Sequence, residues 1–310
     1  MTLFILLPAS PALRAAGQRG VGQDALLARR VPPARYQKTE NDLLVVFLDV
    51  GQGNAVLIVS PEGKTLLYDA GGTPEWMGSS WDPGARVIVP YLDELEINEL
   101  DYMLMSHSHS DHIGGMPAIL NNFKVKTFLD PGFDPDSGLY ADLLNLVRAR
   151  GSDYMVIREG DGHKIDLGKS VKVEIFSPPA DFYFRGTNSD SNNNSVLMKV
   201  ICGDVSFLLT GDLEERGELY AARKYRSQLA SNILQVGHHG SATSSSKPFL
   251  EQVLPEVALI PVGDRNTFGH PRAEALNRIE SVGAEIYRTD YDGHVLVYTD
   301  GKTFVVETER

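Results

Sequence analysis

The chain is nearly without cysteine. Its single thiol, Cys202, excludes an internal disulfide framework and any metal site built from several thiolates. Cys202 closes the apolar run Val200-Ile201 and is expected to be buried. Long hydrophobic runs are missing too: no stretch approaches the ~18 apolar residues of a membrane-crossing helix, so an integral membrane protein is not expected. No basic block with interleaved aromatics occurs, which removes the usual footprint of duplex recognition. The formal charge is −12 and uneven: residues 1–40 carry six basic against two acidic side chains, leaving −16 for the remainder. Such a body repels a nucleic-acid backbone at long range unless bound metals or a local basic patch invert the field.

Residues 8–41 are rich in Ala, Arg, Gly, Gln and Pro without sustained periodicity, so residues 1–42 read as a leader or flexible linker. Leu3-Phe4-Ile5-Leu6-Leu7 is the most apolar start. Pro8 and Pro11 interrupt it and no Lys or Arg precedes it, so an export signal and a plain leader both stay open. Secretion, attachment at the cell envelope through a tethering or membrane partner, and a cytoplasmic location stay open with them.

Residues 43–310 read as a single domain. Leu44–Leu48, Ala55–Val59 and Thr65–Tyr68 are β-rich runs joined by Gly and Pro turns, an antiparallel start. Alternation then predicts helices near 85–95, 115–123 and 138–149, and strands near 101–106, 126–129, 154–158, 163–167 and 171–176. Pro178-Pro179 opens a polar loop through Asn194, long for a plain connection and read as a site rim or lid. The second half repeats the style, with strands near 195–201, 205–210, 233–236, 257–262, 285–288, 294–299 and 302–307, and helices near 214–225, 246–253 and 271–281. Two halves of this kind argue for an α/β domain with sheets inside and helices outside.

The densest chemistry is His107-Ser108-His109-Ser110-Asp111-His112, directly after the apolar run Tyr102–Met105 and before Gly114-Gly115. Surface solubility does not demand three imidazoles and a carboxylate in six residues; holding metal ions does. His107 and His109 can converge on one ion while Asp111 and His112 serve a second. Asp69 and Asp212 each follow an apolar strand and precede a turn. Asp212 is expected to bridge the metals, and Asp69 to stand behind them. In the His238-His239 pair, His238 is favoured as a ligand, leaving His239 for substrate or the surrounding shell. Ser241 could donate to an oxyanion, Asn266 and His270 form a further loop in which His270 donates to substrate or shuttles a proton, and Asp290 could orient a histidine. His163 and His294 read as solvated and structural.

His107-Ser-His-Ser-Asp-His112 resembles the metal-binding signature of the metallo-β-lactamase superfamily. Phe47-Leu-Asp-Val-Gly-Gln-Gly-Asn-Ala55, Leu209-Thr-Gly-Asp212, His238-His-Gly-Ser241 and Gly269-His-Pro271, in that order, resemble the β-lactamase-like domain of ComEC-type DNA-uptake competence proteins and their stand-alone relatives. The resemblance implies a four-layer αβ/βα sandwich of the metallo-β-lactamase type with two divalent metal ions, zinc or manganese, on one sheet edge. Carried over, His107 and His109 bind the first metal. Asp111, His112 and one of His238/His239 bind the second, with Asp212 between. The chain departs from the wider superfamily in having no histidine between His163 and His238. Asn193, Asn194 and Ser195 stand there instead, which points to a weak or partly occupied first site and gives Asn194 a part near substrate.

The expected function is a metal-dependent hydrolase, a phosphodiesterase or nuclease using metal-bound hydroxide and linked to DNA uptake, with DNA as a candidate substrate. A β-lactam, thioester or lactone hydrolase would use the same water, and a metal-bound binding module with little turnover is the alternative without catalysis.

Overall fold

The computed structural model describes residues 29–33, 36–73, 81–133, 136–264 and 266–310. The apolar start at Leu3–Leu7 lies outside them. Two sheets form the centre. The larger follows the order β1 (Arg29–Arg30), β15 (Thr303–Thr308), β14 (Val295–Thr299), β2 (Leu43–Phe47), β3 (Val56–Val59), β4 (Thr65–Tyr68), β5 (Glu99–Leu104), β6 (Lys124–Asp130) and β7 (Asp153–Val156). The smaller runs β13 (Glu285–Arg288), β12 (Val257–Ile260), β11 (Ile233–Gln235), β10 (Val205–Leu209), β9 (Leu197–Cys202) and β8 (Val171–Ser177).

Helices α1 (Val89–Glu94), α2 (Ser110–Ile113), α3 (Met116–Asn122), α4 (Gly138–Arg150), α5 (Asp190–Asn193), α6 (Glu215–Tyr225), α7 (Lys247–Val253), α8 (Ala273–Ser281) and α9 (Thr289–Asp292) connect the strands. None is long and apolar enough to cross a membrane.

Because strand side chains alternate, strands that are apolar at every position can feed two cores at once. In β2, Leu43, Val45 and Phe47 point between the sheets while Val46 points outward; in β10, Val205, Phe207 and Leu209 point between them and Leu208 outward. The central core joins Phe47, Ile58 and Tyr68 of one sheet to Met198, Phe207 and Ile233 of the other. Outside the larger sheet lie Leu92, Ile119 and Leu143 from α1, α3 and α4. Outside the smaller lie Ala221, Leu250 and Ile279 from α6, α7 and α8. The result is the four-layer αβ/βα sandwich.

Cys202 is buried, and burial pushes its thiol pKa up. Two local readings change. The run 163–167 is no strand: Asp161–Lys164 is a 3-10 turn. Gly160 at φ 88° enters it, Asp161 accepts the Arg158 amide, and Gly162 packs so tightly on β8 that a Cβ would overlap the Val173 carbonyl. On the N-terminal side of residue 42, β1 pairs in parallel with β15, and Lys38 pairs with Glu307.

Strand direction positions the site. β4 to β7 run parallel, as do β10 to β13. Their C-terminal ends therefore gather Asp69, His107, Asp212, His238 and His270 on one edge of the sandwich.

Candidate metal centre

The loops on this edge interlock at backbone distance. A Cβ at Gly72 would overlap the Ser110 carbonyl oxygen, and one at Gly115 the Ala70 carbonyl. The turn after β4 is thereby fixed under the His107–His112 loop. Asp69, fully buried at φ 59°, accepts the Ser106 amide on Oδ1 at 2.7 Å. Its Oδ2 takes Ser106 Oγ at 2.7 Å, Asn54 Nδ2 at 2.9 Å and His112 Nδ1 at 2.7 Å. All this acceptor capacity faces protein donors, so Asp69 orients His112 from behind.

Two groups of ligand atoms result, each with its atoms within 4.8 Å of one another: Asp111, His112, Asp212 and His239, and His107, His109 and Asp212. Asp212 belongs to both. Its Oδ1 lies 3.1 Å from His112 Nε2 and 3.6 Å from His239 Nε2, and its Oδ2 lies 3.9 Å from His107 Nε2. The Asp212 amide is held by Ser195 Oγ, and Gln235 Oε1 accepts the Thr210 and Gly211 amides, so the turn carrying the carboxylate is braced.

The pair after β11 sits in left-handed backbone, φ 49° at His238 and 53° at His239. That conformation is costly for non-glycine residues and is held only where the surroundings over-determine it. It sends the two rings apart, and the expected choice between them is corrected. His239, not His238, stands in the four-residue group: its Nδ1 donates to the Pro261 carbonyl at 2.7 Å, leaving Nε2 3.3 Å from Asp111 Oδ2. His238 turns its Nδ1 to Glu214 Oε1 at 3.0 Å and its Nε2 toward Asp212 Oδ2 at 3.8 Å. Glu214 also accepts Asn192 Nδ2 at 2.8 Å.

Imidazole nitrogens facing buried carboxylate oxygens call for a proton or a cation between them. His107 Nε2, His112 Nε2, His239 Nε2 and Asp212 Oδ1 are buried without a hydrogen-bond partner of normal geometry. Orphaned buried atoms of this kind are rare unless something else satisfies them. Nitrogen and carboxylate oxygen without thiolate suit zinc, manganese or iron. The donor set thus fits a dual-metal centre. The electrostatics agree. Burial opposes charge on Asp212, yet the imidazoles of His112, His239 and His238 hold it well below the usual carboxylate range. Burial likewise opposes charge on His112, and Asp212 and Asp69 outweigh it and raise its pKa well above the ordinary value. His107, buried beside other imidazoles, is held well below it.

The remaining candidates sit around this centre or away from it. His270 lies on the rim, its ring 5.6 Å from His238 and stacked on Phe268 at 5.9 Å. Burial, then the neighbouring histidines and Arg272, pushes its pKa down to about 4. Asn266 clasps that loop, accepting the His270 amide at 3.0 Å and donating to the His270 carbonyl at 2.7 Å. Asn194 is occupied by backbone: the Phe184 amide donates to its Oδ1 at 2.9 Å, and its Nδ2 donates to the Phe184 and Asp190 carbonyls at 2.8 Å. Ser241 Oγ is engaged with Thr243 at 2.9 Å. Asp290 does not orient a histidine, because Arg288 forks onto its carboxylate at 3.0 and 2.6 Å. Thr289 joins the strand ends instead, bonding both ways with Val262. His163 Nδ1 bonds the Gly160 carbonyl at 3.0 Å, and His294 Nδ1 accepts the Asp49 amide. Nothing in the sequence marks Glu214 or Ser106, and Asn54 shows there only as part of the Phe47–Ala55 motif. Glu214 looks like an ordinary acid at the N-cap of α6, and only its place two residues after Asp212 could have flagged it.

The metallo-beta-lactamase superfamily profile matches residues 48–264. ComE operon protein 3 of Bacillus subtilis (strain 168) is 29% identical over 81% of this chain and 32% of its own length. Competence protein ComA of Neisseria gonorrhoeae is 32% identical over 82% of this chain and 32% of its own. The chain thus spans about a third of the length of these curated relatives. Among solved structures, CmlA, a diiron beta-hydroxylase from Streptomyces venezuelae, superposes with a TM-score of 0.52 at 15% identity, over 82% of this chain and 53% of that one. That likeness concerns the fold alone, and the fold does not fix the reaction. The match over residues 48–264 and the ligand groups on one sheet edge lead to one conclusion: the chain belongs to the metallo-beta-lactamase superfamily, and its site has the architecture of a metal-dependent hydrolase.

Proposed function

We propose that the chain is a phosphodiesterase or nuclease that works with two divalent cations, zinc or manganese. The observation that carries this is the convergence of partnerless Nε2 atoms on both oxygens of Asp212. When bound, such ions supply Lewis acidity and an activated water. In this reading His107, His109 and Asp212 hold the first ion and Asp111, His112, Asp212 and His239 the second. His238, turned toward Asp212 Oδ2 by Glu214, stands beside the first position as a positioning residue and leaves that position with three ligands. A three-ligand first position remains the weaker of the two.

The other residues position and move protons. Asp69, the Pro261 carbonyl and Glu214 each fix an Nδ1–H and so leave an Nε2 lone pair on the inner side. With its pKa near 4, His270 is neutral at neutral pH and serves at the rim as a hydrogen-bond donor to substrate and a carrier of the proton between water and leaving oxygen. The competence relatives favour a phosphodiester such as DNA over a lactone or thioester. The test is hydrolysis of bis(p-nitrophenyl) phosphate by the protein with added manganese or zinc. Activity should vanish in His109→Ala and in chelator. Full activity after removal of all metal, or faster turnover of lactones, would refute the proposal.

A further inference from the structure

The polar loop opened by Pro178-Pro179 supplies no member of either ligand group among the described residues, and it builds a surface of rings and guanidiniums. It leaves β8, whose C-terminal end lies on the same edge as the metal centre because β8 and β10 both pair antiparallel with β9. Its aromatic run meets the ends of β6 and β7. Tyr183 donates to the Pro131 carbonyl at 2.9 Å and packs on Phe133 at 5.5 Å. Three guanidiniums lie over these rings: Arg158 over Tyr183 at 4.1 Å, Arg185 over Phe133 at 5.0 Å and Arg216 over Phe184 at 5.2 Å. Phe182 beside them is 46% exposed.

Two features separate this surface from ordinary packing. The chain carries a net charge of −12, yet none of the three guanidiniums has a carboxylate within ion-pair distance among the described residues. The acids close by turn their acceptor capacity elsewhere: Asp190, whose carboxyl also feels the Arg216 charge, accepts the Gly186 and Thr187 amides, and Glu159 takes Lys224 and Tyr220. The ridge is also tied to the centre by side chains. Asn194 grips the Phe184 backbone from both sides, and the next residue, Ser195, accepts the Asp212 amide at 3.2 Å. A strand lying on the ridge would lead to the metal edge along the same face.

Resting on the phosphodiester reading, we propose that this arginine–aromatic ridge is the binding platform for a single-stranded nucleic acid, whose bases stack on the exposed Phe182 ring and the ring-backed guanidinium planes while its phosphates are drawn by the three guanidiniums. Flat, cationic, ring-backed surfaces suit unpaired bases, which a duplex keeps inside its stack. The ridge is the local basic patch that reverses the repulsion expected of so acidic a body.

The test is fluorescence anisotropy of the full chain, stripped of metal so that no turnover enters, with a labelled oligothymidylate about 16 nucleotides long and a hairpin duplex for comparison. The single strand should bind more tightly than the duplex. Phe182→Ala and Arg185→Ala should each weaken it by about tenfold, Arg158→Lys should weaken it although charge is kept, and the charge-matched control Arg223→Ala should change it less than about twofold. Circular dichroism of the exposed-site variants keeps a folding defect from passing as lost binding. Equal affinity in wild type and Arg185→Ala, preference for the duplex, or an equal loss in Arg223→Ala would overturn the proposal. If bis(p-nitrophenyl) phosphate is hydrolysed but the oligonucleotide is not held, this inference alone fails; absent metal-dependent hydrolysis with the strand still held, the phosphodiester reading fails.

Discussion

Asp69→Asn isolates the support behind the second metal position. The substitution keeps volume but replaces one acceptor oxygen by an NH2 group. Three donors converge on Oδ2 and one, the Ser106 amide, on Oδ1. The best compromise turns the amide oxygen to the three and sets the NH2 against the Ser106 N–H. One buried donor then loses its acceptor, costing about 1–3 kcal/mol of stability. His112 also exchanges a carboxylate for a weaker amide acceptor, and loss of such support lowers metal affinity by about 10–100-fold. Urea denaturation should show the first loss, and chelator competition with manganese or zinc the second. A folded Asp69→Asn protein that holds metal within about twofold of wild type would refute the argument that Asp69 works through His112.

Other perturbations reach the scaffold around the centre. Burial raises the Glu218 carboxyl to about 7 against the Ser245 and Ser246 amides and Arg278, so between 4.5 and 7 the folded state keeps a proton the unfolded chain releases. This contribution is complete below pH 4.5 and is lost as pH rises through 7, on the order of 3 kcal/mol; Glu218→Gln should flatten unfolding free energy against pH in that window. Gly72→Ala forces a Cβ into the Ser110 carbonyl, so it should lower stability by about 1–3 kcal/mol and loosen metal binding together, read by thermal denaturation and metal analysis. Asp290→Ala should leave diester hydrolysis within about twofold, because Arg288 holds that carboxylate away from the histidines.

The sequence discloses much of this because the chemistry is dense along the chain. His107 to His112 sit within six residues, and a strand followed by two glycines fixes where they must point. Sheets apolar on both faces and helices apolar on one make the layers readable as well. What escapes is set by distant backbone. Adjacent His238 and His239 are chemically identical in sequence, and only their left-handed φ values and the Pro261 and Glu214 acceptors decide which ring joins Asp111. Asp290 looks free until Arg288, two residues away, is seen to fold back on it. The 163–167 run alternates like a strand, but Gly160 and Gly162 let it press flat on β8 as a 3-10 turn. β1 has no hydrophobic pattern at all; Arg29-Arg30 joins the sheet through backbone hydrogen bonds to β15.

Everything chemical here depends on Asp212 being shared by two cations. Anomalous diffraction from crystals grown with manganese tests that directly. The account predicts two peaks flanking the Asp212 carboxylate, the stronger one bounded by Asp111, His112 and His239 and the weaker by His107 and His109. A map with no peak at Asp212, or a single ion held by His238 without His239, would contradict it.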